Sequence, residues 1–480
     1  MKIVLFALNG SFSHTNLAIR ALRAPLERAG HEVVLVENSL RDRTAHVLEG
    51  LYHHKADVYG FSCYIWNIEE TLKLSQALRE VLPSARIVLG GPEVSFATER
   101  FECMDWIDVI VCGEGETVFP HLCEQLLRGE VPQRVIQGQR NELSGTGILY
   151  RDGEGEGGIA YYESSRGCPY SCAYCLSSIE HGVRFKSVEE TLSDLEAFER
   201  LSSNVRIIKF VDRTFNADRK RANAIWRALL DSRFTRHYHF EICADLLDEE
   251  SFEILSRFEK GKIQLEIGLQ STHAETLEAI SRHTDPQRVI AAARRIREMG
   301  NVHVHLDLIA GLPYEGYERF ARSFDDAYGA ADMLQVGFLK LLHGTELWRR
   351  REELGYRALQ SAPYTVLESH WITYEEMTKL SHVAETLDRY FESGRFPHTL
   401  WYLTPHMTSP FRFWEGLTDF ISACDTRPLQ RISQPDAFRY FSQFAKDFFA
   451  GIDEEELLKM LRADFSMHEH KNPPAFLREQ

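Results

Sequence analysis

Three cysteines, Cys168, Cys172 and Cys175, fall within eight residues in the spacing C-x3-C-x2-C. Thiolates are soft ligands, and three on one short loop can close on a single metal ion or cluster. Iron–sulfur clusters ordinarily take four protein ligands, so a set of three leaves one iron open to a small molecule. An open coordination position marks a catalytic centre, whereas a structural one is closed. Two alternatives stand beside this reading: a zinc site completed by a distant His or Cys, and three reduced thiols without a ligand role. Packing alone is a poor account of three cysteines set beside Gly167 and Pro169. The chain has nine cysteines in all, an odd number, and its N-terminus MKIVLFALNGSFSH reads as a buried strand with no secretion signal. A disulfide framework is therefore not expected.

The elements that must carry this loop alternate between strand and helix. Ile159–Glu163 reads as a strand running directly into the cysteine segment. Five further strands follow, at Val205–Val211, His239–Cys243, Lys262–Leu269, Val302–Ile309 and Met333–Leu342, with helical segments between them. Six βα units imply an open (β/α)6 barrel over residues 158–345. Chemistry in such barrels sits at the carboxyl ends of the strands, which is where the cysteines fall.

Residues 1–130 alternate in the same way, with strands at Lys2–Leu8, Glu32–Val36, Val58–Cys63, Arg86–Leu89 and Val109–Cys112. This pattern predicts an α/β, doubly wound, five-stranded parallel sheet. Ligands of such sheets bind beyond the strand carboxyl ends. The segments there, Asn9–Asn16, Ser62–Asn67, Gly90–Ser95 and Gly113–Thr117, are rich in Gly, Ser and Asn. Each alone can be an ordinary turn; four on one rim suggest a site. The G-x-G-x-x-G fingerprint is missing after the first strand, which disfavours a nicotinamide or flavin dinucleotide. Residues 131–157 read as a linker with a small hairpin, ending in the glycine-rich stretch 152–158. Residues 346–395 read as helical and charged, and residues 397–450 as an aromatic-rich helical region, together a mainly helical domain over 346–480.

The 480 residues are 44% apolar and 26% charged, with a formal net charge of −16. That is the composition of an ordinary globular protein, and it predicts no nucleic-acid partner. No run of about 18 apolar residues exists, so no membrane association is expected, and the cytoplasm is the expected compartment.

With its βα context, the Cys168/Cys172/Cys175 motif resembles the radical S-adenosylmethionine superfamily. Residues 1–130 resemble the cobalamin (vitamin B12)-binding domain that precedes the barrel in one branch. The best pieces are Gly60-Phe-Ser-Cys63, Val88-Leu-Gly-Gly-Pro-Glu93 and Val111-Cys-Gly-Glu-Gly-Glu116. The resemblance implies that the three cysteines hold a 4Fe–4S cluster whose open iron chelates S-adenosylmethionine. It implies an adenine contact for Tyr174 and methionine or ribose contacts for Asp212 and Glu241. Asp212 stands where the family has a Gly-Gly-Glu-like element, which is a departure. Glu266 and Gln270 flank the fourth-strand run, and Ile309 and Gly311 occupy the fifth-strand element that lies against adenine. For cobalamin the implied contacts are Ser62, Tyr64, Gly90, Gly91 and Glu114. Many cobalamin domains carry D-x-H-x-x-G after the first strand. Here the ligand position is Ser13, and His14 is one residue off. Base-off cobalamin is the expectation.

The activity implied is methyl transfer to an unactivated carbon of a small-molecule or peptide substrate, fed by a low-potential electron donor such as flavodoxin or ferredoxin. The alternative is a radical oxidoreductase or cyclase whose N-terminal domain does not use cobalamin for methyl transfer. A cobalamin- or cluster-based sensor is a third class, disfavoured because a sensor needs no enclosed radical site.

Overall fold

The structure is a computed structural model that describes the chain except at residues 152, 155–156, 180–181, 202–203, 469–472 and 479–480. It divides into two compact units: residues 1–265 with 340–352 and 358–365, and residues 266–339 with 353–357 and 366–480.

The first unit opens with a parallel sheet of β1 (Lys2–Asn9), β2 (Glu32–Ser39), β3 (Val58–Ser62), β4 (Arg86–Gly90), β5 (Val109–Cys112) and β6 (Val135–Gln137), in the order β2-β1-β3-β4-β5-β6. The sheet has six strands where five were expected. β6 falls in the segment read as linker and hairpin, and it pairs parallel to β5 through Ile110–Val135 and its neighbours. Its three residues are too few to show a periodicity. Of the glycine-rich stretch, positions 152, 155 and 156 lie outside the described residues. β1 is buried on both faces: Val4, Phe6 and Leu8 pack into one apolar layer, and Ile3, Leu5 and Ala7 into the other. This explains its continuous apolar run.

The order of strand addition reverses between β1 and β3, the switch point where ligands of this strand order bind. Buried amides fix that edge. Asn16 caps the helix Leu17–Arg28 by accepting from the Ile19 N–H, and its Nδ2 donates to Ser62 Oγ at 3.0 Å. Asn67 Nδ2 donates to the carbonyls of Leu8 (3.0 Å) and Ser62 (2.9 Å). At the end of β4, Gly91 has φ +113°, and a Cβ there would lie 2.5 Å from the Cys63 carbonyl oxygen. Only glycine satisfies both constraints.

β7 (Ile159–Tyr162), β10 (Ile207–Phe210) and β11 (His237–Ile242) are parallel neighbours in the same unit. Between β7 and β10 lies an antiparallel pair absent from the sequence reading, β8 (Ser165–Cys168) with β9 (Gly182–Phe185). The first cysteine therefore ends a short strand. Residues 340–352 and 358–365 also belong to this unit, and the Leu347 N–H donates to the Ala173 carbonyl between the second and third cysteines at 2.9 Å.

β12 (Ile263–Gln270) carries the chain from the first unit into the second, which contains β13 (His303–Ala310) and β14 (Met333–Phe338) in parallel register. β7, β10 and β11 follow chain order within the first unit, and β13 and β14 do so within the second. The segment 346–395 is not helical throughout. A short helix at Glu346–Arg349 is followed by strands at Arg357–Ala358 and Val366–Glu368, and only Tyr374–Leu387 forms a long helix. Gly355, Pro363 and the β-branched Thr365-Val366 account for the interruption. Beyond it, the helices Pro410–Cys424 and Gln434–Phe448 bury Phe411, Phe413, Trp414 and Phe441 in an aromatic core.

Glu315 is wholly buried in the second unit. Its Oε1 accepts from Ser271 Oγ and Ser323 Oγ, each at 2.7 Å, while Oε2 has no partner. Burial pushes its pKa up to about 7, against the pull of the two serines and Arg319. A carboxyl raised in the folded state stabilises the fold fully below its unfolded pKa, and that contribution is lost as pH rises to about 7. Glu315→Gln should therefore stabilise the protein above pH 7 by up to about 3 kcal/mol and leave it unchanged near pH 4. Chemical denaturation across that range measures the difference. Gly91→Ala should lower stability by about 1–3 kcal/mol for the left-handed backbone alone, with the Cys63 clash in addition. Thermal unfolding of the apo-protein reads it directly.

Candidate cofactor site

A cavity of about 750 Å³ opens at the carboxyl edge of the first sheet. Its floor is apolar and runs inward past Leu17 and Leu22 to Leu5, Gly60, Val88 and Phe119. Its rim carries Asn9, His14, Tyr64, Gly90, Gly91 and Glu114 from the four loops singled out above. Its far wall is Tyr161, Glu163, Ser165–Gly167, Val211 and Arg213, contributed by β7, β8 and the end of β10. The residues immediately before Cys168 thus face the same space as the rim of the first sheet. Tyr64 and Trp66 stack at 4.4 Å with ring planes 11° apart, giving the mouth a flat aromatic edge. Burial raises the Tyr64 pKa despite hydrogen bonds to Ser62 and Asn16, so the hydroxyl stays a phenol.

The rim residues have varied employment. Ser62 is buried, its hydroxyl engaged by Asn16. Ser13 is not on the cavity wall; its Oγ pairs with Ser11 Oγ at 2.8 Å. His14 does line the cavity, and its Nδ1 is hydrogen-bonded to the Tyr161 hydroxyl. Gly91 is required by Cys63, as described, so close ligand approach is not needed to explain it. Gly90 is different: a Cβ there would meet nothing nearer than 3.6 Å. Glu114 is turned toward arginines. Arg184 Nη1 donates to it at 3.0 Å, Arg184 Nη2 donates to its other oxygen, Arg166 Nη1 lies at 2.9 Å, and the Asn141 N–H donates at 2.7 Å. Burial alone would raise the Glu114 pKa; Arg184, Asn141 and Arg166 outweigh it and hold the carboxyl low.

The cysteine loop is ordered by its own backbone. The Cys175 N–H donates to the Cys172 carbonyl at 3.1 Å, and Ser178 Oγ donates to the carbonyls of Cys172 (2.9 Å) and Cys175 (2.6 Å). Cys172 is buried, Cys168 and Cys175 are half-buried, and all nine cysteines are free thiols. Among the described residues, no three His, Cys, Asp or Glu side chains are gathered closely enough to hold a metal ion as they stand. The donor set nevertheless suits a soft metal cluster: three free thiols on a single ordered loop.

Asp212 lies at the end of β10, wholly buried, accepting from the Ser164 N–H (2.9 Å), Ser164 Oγ (2.6 Å) and Ser165 Oγ (2.7 Å). It anchors the entry to the cysteine strand. Glu241, on β11, faces Arg213 at 3.9 Å. Tyr174 is half-buried in the loop itself. Glu266, Gln270, Ile309 and Gly311 belong to the second unit. Gln270 adopts φ +71° with its Oε1 unpartnered, and Gly311 adopts φ +94° with its carbonyl accepting from the Tyr356 hydroxyl at 2.9 Å. Arg184, Glu163 and Tyr161 were not singled out from the sequence, and Arg166 and Glu116 were placed beside the site without a role.

Residues 4–123 match a family model described as the B12 binding domain, residues 162–327 one described as the Radical SAM superfamily, and residues 352–480 one described as a protein of unknown function (DUF4080). The cobalamin-dependent radical SAM methyltransferase TokK of Streptomyces tokunonensis is 25% identical over 468 residues, covering 87% of this chain and 65% of that protein. The uncharacterized methyltransferase PH0819 of Pyrococcus horikoshii is 24% identical over 395 residues, covering 75% of this chain and 83% of its own length. In fold, the cobalamin-dependent S-adenosylmethionine radical enzyme OxsB, solved with aqua-cobalamin, superposes with a TM-score of 0.66 at 15% identity, covering 97% of this chain and 79% of that one. No helix among the described residues is long and apolar enough to cross a membrane. With rim loops and the cysteine strand on one cavity, and both family models matched in that order, the chain carries a B12-binding domain followed by a radical SAM domain and is similar to cobalamin-dependent radical S-adenosylmethionine enzymes.

Proposed function

We propose that this protein is a cobalamin-dependent radical S-adenosylmethionine methyltransferase acting on an unactivated carbon of a small-molecule or peptide substrate. One observation carries the reading: a single cavity is walled on one side by the rim of the B12-type sheet and on the other by Ser165, Arg166 and Gly167, which lead into Cys168. Two bound groups could meet there without crossing bulk water. The similarity to TokK supports methyl transfer as the chemistry.

Cys168, Cys172 and Cys175 would hold the 4Fe–4S cluster, and the rim loops would hold cobalamin. When bound, the cluster supplies a low-potential electron to S-adenosylmethionine, and cobalamin supplies a methyl carrier. Everything else falls to the chain. The apolar floor reaching Gly60 and Phe119 suits the flat, greasy part of a large ligand, while the polar rim suits its amides. Tyr64, kept as a phenol, and His14, its Nδ1 engaged by Tyr161, line the cavity and would be among the side chains that hold cobalamin, in its base-off form. The enclosure protects a reactive radical from water. A flavodoxin- or ferredoxin-type donor is the partner this chemistry needs.

Replacing any one of Cys168, Cys172 or Cys175 by Ala should abolish cluster-bound iron and sulfide after anaerobic reconstitution. A triple variant that kept the full iron load would overturn the assignment. Gly90→Val should weaken hydroxocobalamin binding at least about tenfold while leaving the melting temperature within a few degrees of wild type, because the fold leaves room for the Cβ and the cavity does not. Spectral titration measures the first effect and calorimetry the second.

A further inference from the structure

The hairpin that presents Cys168 contains an electrostatic problem. In the β8/β9 register, Arg166 stands directly opposite Arg184. Like charges at directly opposed positions destabilise an antiparallel pair. The two strands also approach closely: Gly167 has φ +102°, and a Cβ there would lie 2.2 Å from the Gly182 carbonyl oxygen. The remedy comes from outside the hairpin. Glu114, in the rim loop after β5, places its carboxylate between the two guanidiniums, touching Arg166 at 2.9 Å and Arg184 through both oxygens. Glu116 from the same loop adds a contact to Arg166 at 2.8 Å, and Glu163 holds the remaining face of that guanidinium at 2.7–2.8 Å. The pairs are largely withdrawn from solvent: the Glu114 side chain is 10% exposed, Arg184 18% and Arg166 23%. Charge-assisted bonds in such a setting are among the stronger ones.

We propose that Glu114 is a positioning residue: the carboxylate of the B12-type rim loop closes the hairpin that carries the first cluster cysteine, so the two cofactor sites share one electrostatic joint. The assignment deepens the functional reading above and rests on it for its meaning. Its physical content is a property of the apo-protein. Four donors already converge on Glu114, from Arg166, Arg184 and Asn141, which is why it serves as a joint.

The test measures how fast Cys168 is alkylated by iodoacetamide in the metal-free, reduced protein, followed by peptide mass spectrometry. The buried Cys63 and Cys123 serve as internal controls. Glu114→Gln keeps the shape and removes the charge, and it should accelerate Cys168 labelling roughly tenfold, the scale of one hydrogen bond to a charged group, with the controls unchanged. Adding Arg184→Gln removes one of the opposed charges and should restore most of the protection. A general loss of structure would instead speed all three cysteines and resist rescue. Unchanged labelling in Glu114→Gln, or no rescue in the double variant, overturns the proposal. Iron uptake on reconstitution forms a separate arm. If labelling behaves as expected but no variant, wild type included, binds iron through the cysteines, the joint stands and the cofactor reading falls.

Discussion

A carboxylate shared between two opposed arginines is the interaction on which the geometry of this site depends. Glu114 belongs to the loop after the fifth strand of a B12-type sheet, and Arg166 and Arg184 face each other on the hairpin that ends in Cys168. Without that anion, the hairpin leading into Cys168 would hold two opposed arginines with no carboxylate between them. Buried ion pairs are poor stabilisers on average, because desolvation consumes the attraction. Their better attested use is to specify one arrangement among several, and here the arrangement specified is the face of the cysteine strand toward the rim loops.

Other contacts in the first unit reinforce the same joint. The segment after β14 returns to donate from the Leu347 N–H to the Ala173 carbonyl inside the cysteine loop. Farther along, the Tyr364 hydroxyl donates to Glu93, and Arg100 donates to that hydroxyl at 2.8 Å. Glu93 follows the double glycine of the rim, and burial raises its pKa despite these partners. One returning stretch of chain thus grips both the loop that carries the thiols and the loop that edges the cavity. The site is assembled from residues more than 200 positions apart, and its precision comes from hydrogen bonds to backbone and to charged groups.

What could be read from the sequence was what is local. The C-x3-C-x2-C spacing lies within one loop, and the strand-helix alternation gave the sheets because β1, β3 and β5 are continuous buried runs. Element boundaries fell within a few residues because caps such as Asn16 and Ser187 announce helix starts. The misses share a cause. β6 is three residues long, and the β8/β9 pair is hidden among glycines and cysteines; both exist through partners that periodicity cannot reveal. Gly91 was read as room for a ligand; it lines the cavity, and its conformation also answers to Cys63, a contact legible only in three dimensions. Glu114 was read from its loop alone, and its arginine partners were not legible, since the opposition of Arg166 and Arg184 is a matter of register.

The central claim is that a cluster and a corrin work across one cavity to move a methyl group. The most direct measurement uses S-adenosylmethionine bearing a deuterated methyl group, incubated anaerobically with reconstituted, reduced protein and hydroxocobalamin before any substrate is added. Mass spectrometry of the extracted corrinoid should find methylcobalamin carrying the labelled methyl, matched by S-adenosylhomocysteine. If the wild-type protein binds cobalamin yet leaves it unlabelled while 5′-deoxyadenosine accumulates, methyl transfer through cobalamin is contradicted and radical chemistry without it takes its place.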